Sequence, residues 1–169
     1  MGETKRLVLK KIYFEKDFQD LLKLYQKKEN MQYILSGKYD YTLEELKEKW
    51  RNIGFDENSK TGFQVVVFKE TNKIIGECAL LKTEKPISEE LEIAFMVDEN
   101  FRNSGFATEI CNYLIDFAFQ TIKTKSIKAG MYKENANSEK LVKKLRFVLE
   151  KEGKSKSGIE FREYILEKK

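Results

Sequence analysis

The chain has 169 residues, 41% of them hydrophobic and 36% charged, so we expect one folded domain with one core over residues 1–169. Its 32 basic and 28 acidic residues leave a formal charge of +4, and because the lysines mostly alternate with glutamates, nucleic acid is not the favoured partner. The chain contains no histidine, which excludes Ser-His-Asp and Cys-His catalytic sites and most zinc hydrolase sites, so any general base must be a carboxylate, a tyrosine, a lysine or water.

The N-terminal part of the chain predicts one strand and two helices, over residues 5–13, 17–25 and 42–53. Asp17 stands where its side chain can cap the first helix. Thr42 and Glu45 have the spacing of a capping box, which predicts the start of the second helix. The tyrosine-rich stretch between these helices, residues 30–41, predicts a loop.

The rest of the chain predicts six more strands, over residues 63–70, 73–81, 91–98, 126–133, 147–153 and 159–168. Two further helices are predicted over residues 106–118 and 137–145. Residues 71–73 predict a hairpin turn, and the wide apolar face of the helix that begins at Phe106 must pack against a sheet. This order predicts an α/β (α+β) fold, with a mixed central sheet of about seven strands and about four helices on its faces.

The sequence also bears on location and on metal binding. The longest apolar runs are far shorter than the roughly 20 residues that a membrane span needs, and the N-terminus has no signal-peptide core. Cys78 and Cys111 stand alone, without the paired spacing of a zinc site, so we expect no metal and a reducing compartment. We therefore expect a cytoplasmic protein that contacts neither a membrane nor nucleic acid.

A polar corner lies between the strand that ends near Asp98 and the following helix, and consists of Arg102, Asn103, Ser104, Gly105, Phe106 and Ala107. A helix N-terminus offers unpaired N–H groups and the positive end of the helix dipole. Gly105 lets the backbone approach an anion, and Arg102 adds positive charge, so the corner predicts a phosphate cradle. The simpler alternative is that Gly105 only turns the chain and Arg102 is a solvated surface residue. The spacing alone is weak evidence, and the position between strand and helix is stronger.

Two motifs resemble those of a known family. Arg102-x-x-Gly105-x-Ala107, between "LEIAFMVD" and "TEICNYLIDFAF", resembles the acetyl-CoA-binding motif of the GNAT superfamily of N-acetyltransferases. Asn135-x-x-Ser138, followed by a short helix and Phe147, resembles the next element of that family. The whole set is most similar to the branch that contains ribosomal-protein N-terminal acetyltransferases.

The resemblance implies a GNAT-like fold and acetyl-CoA as co-substrate. It implies that the fourth and fifth strands splay apart and that the pantetheine arm meets the backbone of Phe95, Met96 and Val97. Asn135 would hold the pantetheine, cap the helix, or do both. The chain departs from the family pattern at three positions, since Ser104 replaces a basic residue or glycine, Val142 replaces a tyrosine acid, and Arg146 replaces a glycine that ends the helix.

The reaction implied is direct attack of a primary amine, either a protein N-terminus or a small amine, on acetyl-CoA in a ternary complex. An amine with a pKa of about 10 needs a base, and Glu92 stands where the resembled branch carries its carboxylate. The alternative is that Glu92 is an ordinary outward-facing strand residue, and Glu89 and Glu90 are interpreted as solvated loop charges. The backbone N–H of Phe95 or Met96 would stabilise the oxyanion. Ser138 would protonate the thiolate or cap the helix.

Other interpretations and partners stay open at this point. Loss of the tyrosine acid at Val142 also suits a non-catalytic CoA-binding sensor or interaction module of the same fold. A nucleic-acid-binding domain would instead show steeply salt-dependent binding. Tyr132 and Tyr164 are interpreted as half-buried sheet residues, and exposed tyrosines would suit a homodimer. The loops expected near the acceptor lack the acidic cluster that a polycation would favour.

Overall fold

The computed structural model of the protein describes residues 2–12, 15–34, 37–52 and 60–168. Within these ranges the helices are α1 (Glu15–Tyr25), α2 (Lys28–Met31), α3 (Leu43–Asn52), α4 (Phe106–Asp116) and α5 (Ala136–Lys144). The strands are β1 (Gly2–Glu3), β2 (Leu7–Lys10), β3 (Gly62–Phe68), β4 (Lys73–Lys82), β5 (Glu90–Val97), β6 (Ser126–Tyr132), β7 (Val148–Lys154) and β8 (Glu160–Glu167). A 3₁₀ turn covers Glu99–Phe101, and a π-helical segment, Phe117–Ile122, continues α4.

The strands form a mixed sheet in the order β1-β2-β3-β4-β5-β6-β8-β7. β5 and β6 pair in parallel, as the crossover through α4 requires, whereas β2 with β3 and β8 with both β6 and β7 are antiparallel. The predicted α/β class is confirmed. The described residues contain eight strands and five helices instead of about seven and four, because β1 and α2 are too short to produce a periodic pattern.

Two predicted helix starts had different outcomes. The capping box before α3 is confirmed, since the Thr42 N–H donates to the Glu45 carboxylate (2.8 Å) and the Glu45 N–H donates to Thr42 Oγ1 (3.3 Å). The prediction that Asp17 caps the first helix is wrong, because α1 begins at Glu15. The buried Asp17 carboxylate accepts instead from Lys10 Nζ at 3.0 Å. The predicted end of the second helix, residue 53, lies outside the described residues.

The chain divides into two compact units. The first contains Met1–Ala79 and Phe95–Ile110, and the second contains Leu80–Ala94 and Cys111–Lys169. The core of the first unit is built around the aromatic side chains of Tyr25, Tyr41, Trp50 and the half-buried Phe18 and Phe63. In the second unit the buried side chains include those of Leu91, Ile127, Val142, Phe147 and Tyr164. A single domain over the whole chain stays a prediction.

The chain leaves α5 through Arg146, which has the left-handed conformation although the glycine of the family pattern is missing there. Arg146 has a φ of +69°, its N–H donates to the Lys143 carbonyl at 3.0 Å, and the Phe147 N–H donates to the Val142 carbonyl at 3.0 Å. This is the paired hydrogen-bond pattern that ends many helices, in which glycine usually occupies the left-handed position. An arginine there carries a steric cost that glycine does not.

Arg146→Gly is therefore expected to stabilise the protein by about 1 kcal/mol, less than the full relief of strain because glycine also gains freedom in the unfolded chain. Urea unfolding would measure this as a higher midpoint at unchanged slope. The matched control is Arg146→Ala, which removes the same exposed side chain but keeps the Cβ, and it should leave stability nearly unchanged. Equal midpoints for the two variants would contradict the strain argument.

Candidate functional site

The predicted corner is anchored within the first unit by charge and by aromatic packing. The Asp98 carboxylate accepts from the Asn100 N–H (3.2 Å) at the start of the 3₁₀ turn and also from Lys27 Nζ (2.9 Å). The Phe106 ring packs against Phe68 with centroids 5.1 Å apart. The polypeptide therefore leaves β5 and enters α4 along a fixed path.

The corner presents a run of unpaired backbone donors. The N–H groups of residues 103–108 make no hydrogen bond within the described part of the chain, and the first backbone bond of α4 runs from the Glu109 N–H to the Gly105 carbonyl at 3.1 Å. Asn103 and Gly105 have positive φ angles of +60° and +80°, and both are exposed. Successive amides in such alternating conformations form an anion-binding concavity, and the helix dipole adds to it. The corner thus has the geometry that the sequence predicts for a phosphate cradle.

Arg102 is neither a free cation nor a simply solvated side chain. Its Nη2 donates to the Glu29 carbonyl (2.7 Å) and lies 3.3 Å from Asn30 Oδ1, and its Nε lies 3.4 Å from the Val97 carbonyl. Asn30 is buried and also accepts from the Glu99 N–H at 2.9 Å. Arg102 therefore ties the corner to α2. Its contribution of charge to an anion stays a prediction.

Arg6, which the sequence analysis did not single out, lies against the same corner. Its Nη1 donates to the Ser104 carbonyl (2.9 Å), its Nε donates to Glu109 Oε2 (2.7 Å), and its guanidinium carbon lies 4.1 Å from the centroid of the Phe106 ring. Burial opposes ionisation of Glu109, but hydrogen bonds from Thr4 and Arg6 outweigh it and hold the pKa of Glu109 below its usual value. The interacting residues are about 100 positions apart, so no local pattern could have revealed them.

The backbone at Phe95, Met96 and Val97 is set by a close strand contact in the first unit. A Cβ on Gly76 of β4 would overlap the Met96 carbonyl oxygen and stand 3.1 Å from its carbonyl carbon. The Asp98 N–H donates to the Ile75 carbonyl at 2.8 Å, which continues the contact past the end of β5. Only glycine allows the two strands to approach this closely.

Glu92 belongs to the second unit and has an unusual environment for a strand carboxylate. It is half-buried, and no hydrogen bond or ion pair of its side chain is found among the described residues. Burial and the negative charges of Glu163 and Glu90 raise the pKa of Glu92, and the opposing effect of Lys128 is smaller than their sum. A half-buried, unpaired carboxylate with a raised pKa suits a general base, whereas a simple surface residue would be solvated.

Strand pairing is incomplete next to Glu92. The parallel register of β5 and β6 covers Glu90 to Glu92 and Ser126 to Lys128, the first three residues of each strand. On the β6 side, a Cβ on Gly130 would stand 3.5 Å from Glu92 Oε1. The fourth and fifth strands of the sequence prediction are β5 and β6. Their short register agrees with the splay that the family resemblance implies.

Glu90 is not a solvated loop charge, so that interpretation is wrong. It begins β5, its side chain is only 3% exposed, and its carboxylate pairs with Lys85 Nζ at 2.9 Å and with Lys128 Nζ at 3.7 Å. Burying a carboxylate requires such partners. Glu90 is therefore held in ion pairs, whereas Glu92, two residues later, has none among the residues that the structure describes.

The start of α5 carries the remaining predicted residues. Asn135 Oδ1 accepts from the Ser138 N–H at 3.2 Å, so Asn135 is the N-cap of α5 and the interpretation of Ser138 as the cap is wrong. Ser138 is half-buried, and within the described ranges its hydroxyl makes no hydrogen bond. Val142 is buried in the core, so the tyrosine position of the resembled family here serves packing.

Tyr164 is fully buried, and the expectation that it is half-buried is wrong. Its hydroxyl donates to Glu139 Oε1 at 2.7 Å, and Arg162 Nη1 donates to Glu139 Oε2 at 2.7 Å. Burial and the Glu139 carboxylate raise the pKa of Tyr164. These contacts fix α5 against β8 within the second unit.

Among the residues that the structure describes, no three carboxylates or thiols are grouped as a metal ion would require. In the same ranges, every helix is too short or too polar to cross a bilayer.

The chain is similar to known proteins over most of its length. A family model described as acetyltransferase (GNAT) domain matches residues 6–148. The uncharacterized N-acetyltransferase p20 of Bacillus licheniformis is 33% identical over 97 residues, which cover 57% of this chain and 52% of that protein. The match thus spans about half the length of this curated relative.

Two solved structures share the fold. The first is spermidine N-acetyltransferase from Vibrio cholerae in complex with CoA and spermine, with a TM-score of 0.79, 18% identity and coverage of 97% of this chain and 96% of that one. The second is RimL, a ribosomal L7/L12 alpha-N-protein acetyltransferase in complex with coenzyme A, with a TM-score of 0.80, 16% identity and coverage of 97% and 95%. At these identities the likeness is one of fold.

Proposed function

Because the chain belongs to the GNAT acetyltransferase family, as its motifs predict, we propose that it transfers an acetyl group from acetyl-CoA to a primary amine. The amine is a protein N-terminus or a small amine, and it attacks directly in a ternary complex. The observation that carries this proposal is the run of N–H groups at residues 103–108 that make no hydrogen bond within the described part of the chain, which suits the pyrophosphate of CoA.

Two sets of residues would contact the cofactor. Arg102, Asn103, Ser104, Gly105, Phe106 and Ala107 would hold the pyrophosphate, mainly through backbone N–H groups. Ser104 stands where the family pattern has a basic residue or glycine, and this replacement should weaken phosphate binding little. The hydrogen-bond donors belong to the backbone, so the side chain of residue 104 is not required. Phe95, Met96, Val97 and Asn135 would contact the pantetheine, although Asn135 already uses Oδ1 to cap α5.

In the proposed reaction, Glu92 accepts the proton of the attacking amine, directly or through water. Its lack of an ion-pair partner in the described residues and its raised pKa support this assignment. A backbone N–H of Phe95 or Met96 would stabilise the oxyanion. The Ser138 hydroxyl would solvate or protonate the departing thiolate, a modest contribution because a thiol with a pKa near 8.5 leaves readily.

The names of two structures with the same fold support the acceptor class that we propose. The solved structures with this fold carry the names of a spermidine acetyltransferase and a ribosomal-protein α-N-acetyltransferase, and both acceptors are primary amines. Choosing between a small amine and a peptide N-terminus requires an acceptor screen. A cytoplasmic location, a homodimer and the absence of metal, membrane and nucleic-acid partners stay predictions.

Thermal unfolding with acetyl-CoA tests the cradle. A ligand that binds only the folded state raises the midpoint temperature of unfolding. When the ligand concentration is 100 times the dissociation constant, the free energy of unfolding increases by roughly 2.7 kcal/mol. We expect this rise for the natural protein and none for Gly105→Val, because a β-branched residue at φ +80° distorts the corner.

Gly158→Val is the matched control for this test. Gly158 has a φ of +82° in the turn between β7 and β8, and a Cβ there meets nothing within 4 Å, so the substitution imposes the same backbone strain away from the corner. An undiminished rise for Gly105→Val would refute the cradle. Release of thiol in the presence of amines then separates an enzyme from a sensor, because only the enzyme turns over.

A further inference from the structure

Arg6 contacts the Ser104–Gly105 peptide on the side opposite to the N–H group of that peptide. The carbonyl oxygen of this peptide accepts from Arg6 Nη1 at 2.9 Å. In a trans peptide the C=O and N–H bonds point in opposite directions. The Gly105 N–H is therefore directed away from the guanidinium, toward the side on which an anion would bind.

The guanidinium is itself held on several sides. Glu109 accepts from Arg6 Nε at 2.7 Å and from the Arg6 backbone N–H at 2.9 Å, and Thr4 donates to the same carboxylate. The Phe106 ring lies beneath the guanidinium, 4.1 Å from its central carbon. A hydrogen bond from so constrained a donor restricts the rotation of the peptide that it contacts.

Net charge is a poor explanation for Arg6 at this place. The ion pair with Glu109 leaves the two side chains neutral together, so they add little positive potential to the corner. The contact thus restricts orientation more than it supplies charge.

We propose that Arg6 is a positioning residue for phosphate binding, which holds the Ser104–Gly105 peptide so that the Gly105 N–H points at the pyrophosphate of acetyl-CoA. This inference rests on the proposed function. Arg6 touches the backbone and not the ligand, and Glu109 and Thr4 serve to keep Arg6 in place.

Acetyl-CoA affinity, measured by calorimetry on the intact chain, tests the proposal. Arg6→Ala should weaken binding about tenfold, the effect of one misdirected hydrogen bond. Arg6→Lys keeps the positive charge and can still pair with Glu109, but an ammonium lacks the forked guanidinium that contacts Glu109 and the Ser104 carbonyl together. This variant should fold like the natural protein and lose most of the affinity for acetyl-CoA. Lys5→Ala removes an equal charge from the neighbouring exposed residue and should bind normally.

A double-mutant cycle with Gly105→Ala distinguishes positioning from general stabilisation. If Arg6 acts through the Gly105 peptide, Arg6→Lys should have no further effect on affinity once residue 105 is alanine. Equal losses in both backgrounds, or normal binding by Arg6→Lys, would overturn the proposal. Failure of the natural protein to bind acetyl-CoA would instead overturn the proposed function, and with it the role of Arg6.

Discussion

Replacing Glu92 by glutamine is expected to lower kcat for acetyl transfer by about 100-fold or more, with the affinity for acetyl-CoA nearly unchanged. Glutamine has the same shape but cannot accept the proton of the attacking amine. Glu92 has no ion-pair partner among the described residues, so the substitution breaks no salt bridge and stability should change little. Thiol release at saturating acetyl-CoA measures the effect, once an acceptor has been found.

The pH profile gives a second readout for the same residue. A base must be ionised, and because burial and the nearby carboxylates raise the pKa of Glu92 from its ordinary value, activity should fall as pH decreases through that raised pKa. Glu163→Gln is the matched variant, since it removes a negative charge that raises the pKa of Glu92 but leaves the base in place. It should move the acid limb to lower pH. Full activity of Glu92→Gln across the pH range would remove Glu92 from the mechanism.

Most of the fold could be predicted because its elements carry local signals. Alternating apolar residues marked the strands, and Thr42 with Glu45 marked the start of α3. The errors lie where tertiary contacts override local preference. Asp17 resembles a cap, but it lies within α1, and its carboxylate forms an ion pair with Lys10 of β2. The two-residue β1 exists only because β2 is there to pair with it.

The candidate site likewise has a part that the sequence predicts and a part that depends on tertiary contacts. The corner could be predicted because its residues are consecutive and glycine is required where φ is positive. The tertiary contacts of the corner could not be predicted, since they join residues far apart in sequence. Arg102 bonds to Glu29 and Asn30, and Arg6 bonds to Ser104. The ion pair of Glu90 with Lys128 likewise depends on a neighbouring strand. A single sequence contains no local record of such contacts.

Gly76→Ala is expected to destabilise the protein by about 3 kcal/mol, a large effect for the addition of one methyl group. The new Cβ would overlap the Met96 carbonyl oxygen and crowd Val97 Cα at 3.3 Å, and because all these atoms belong to the backbone, no side chain can move aside. β5 would have to shift at Phe95, Met96 and Val97, the residues that are proposed to meet the pantetheine. Acetyl-CoA binding should therefore also weaken in the fraction that folds.

Gly153→Ala in β7 is the matched control for this prediction. Its Cβ would come within 3.2 Å of the Phe161 ring, a side chain that can move, so the cost should be small. Both substitutions restrict the unfolded chain equally, which means that the difference between their urea midpoints isolates the strain in the folded state. If the two variants unfold at the same midpoint, the close approach of β4 and β5 does not control the backbone at Met96, and another contact must set the path of β5 toward the corner.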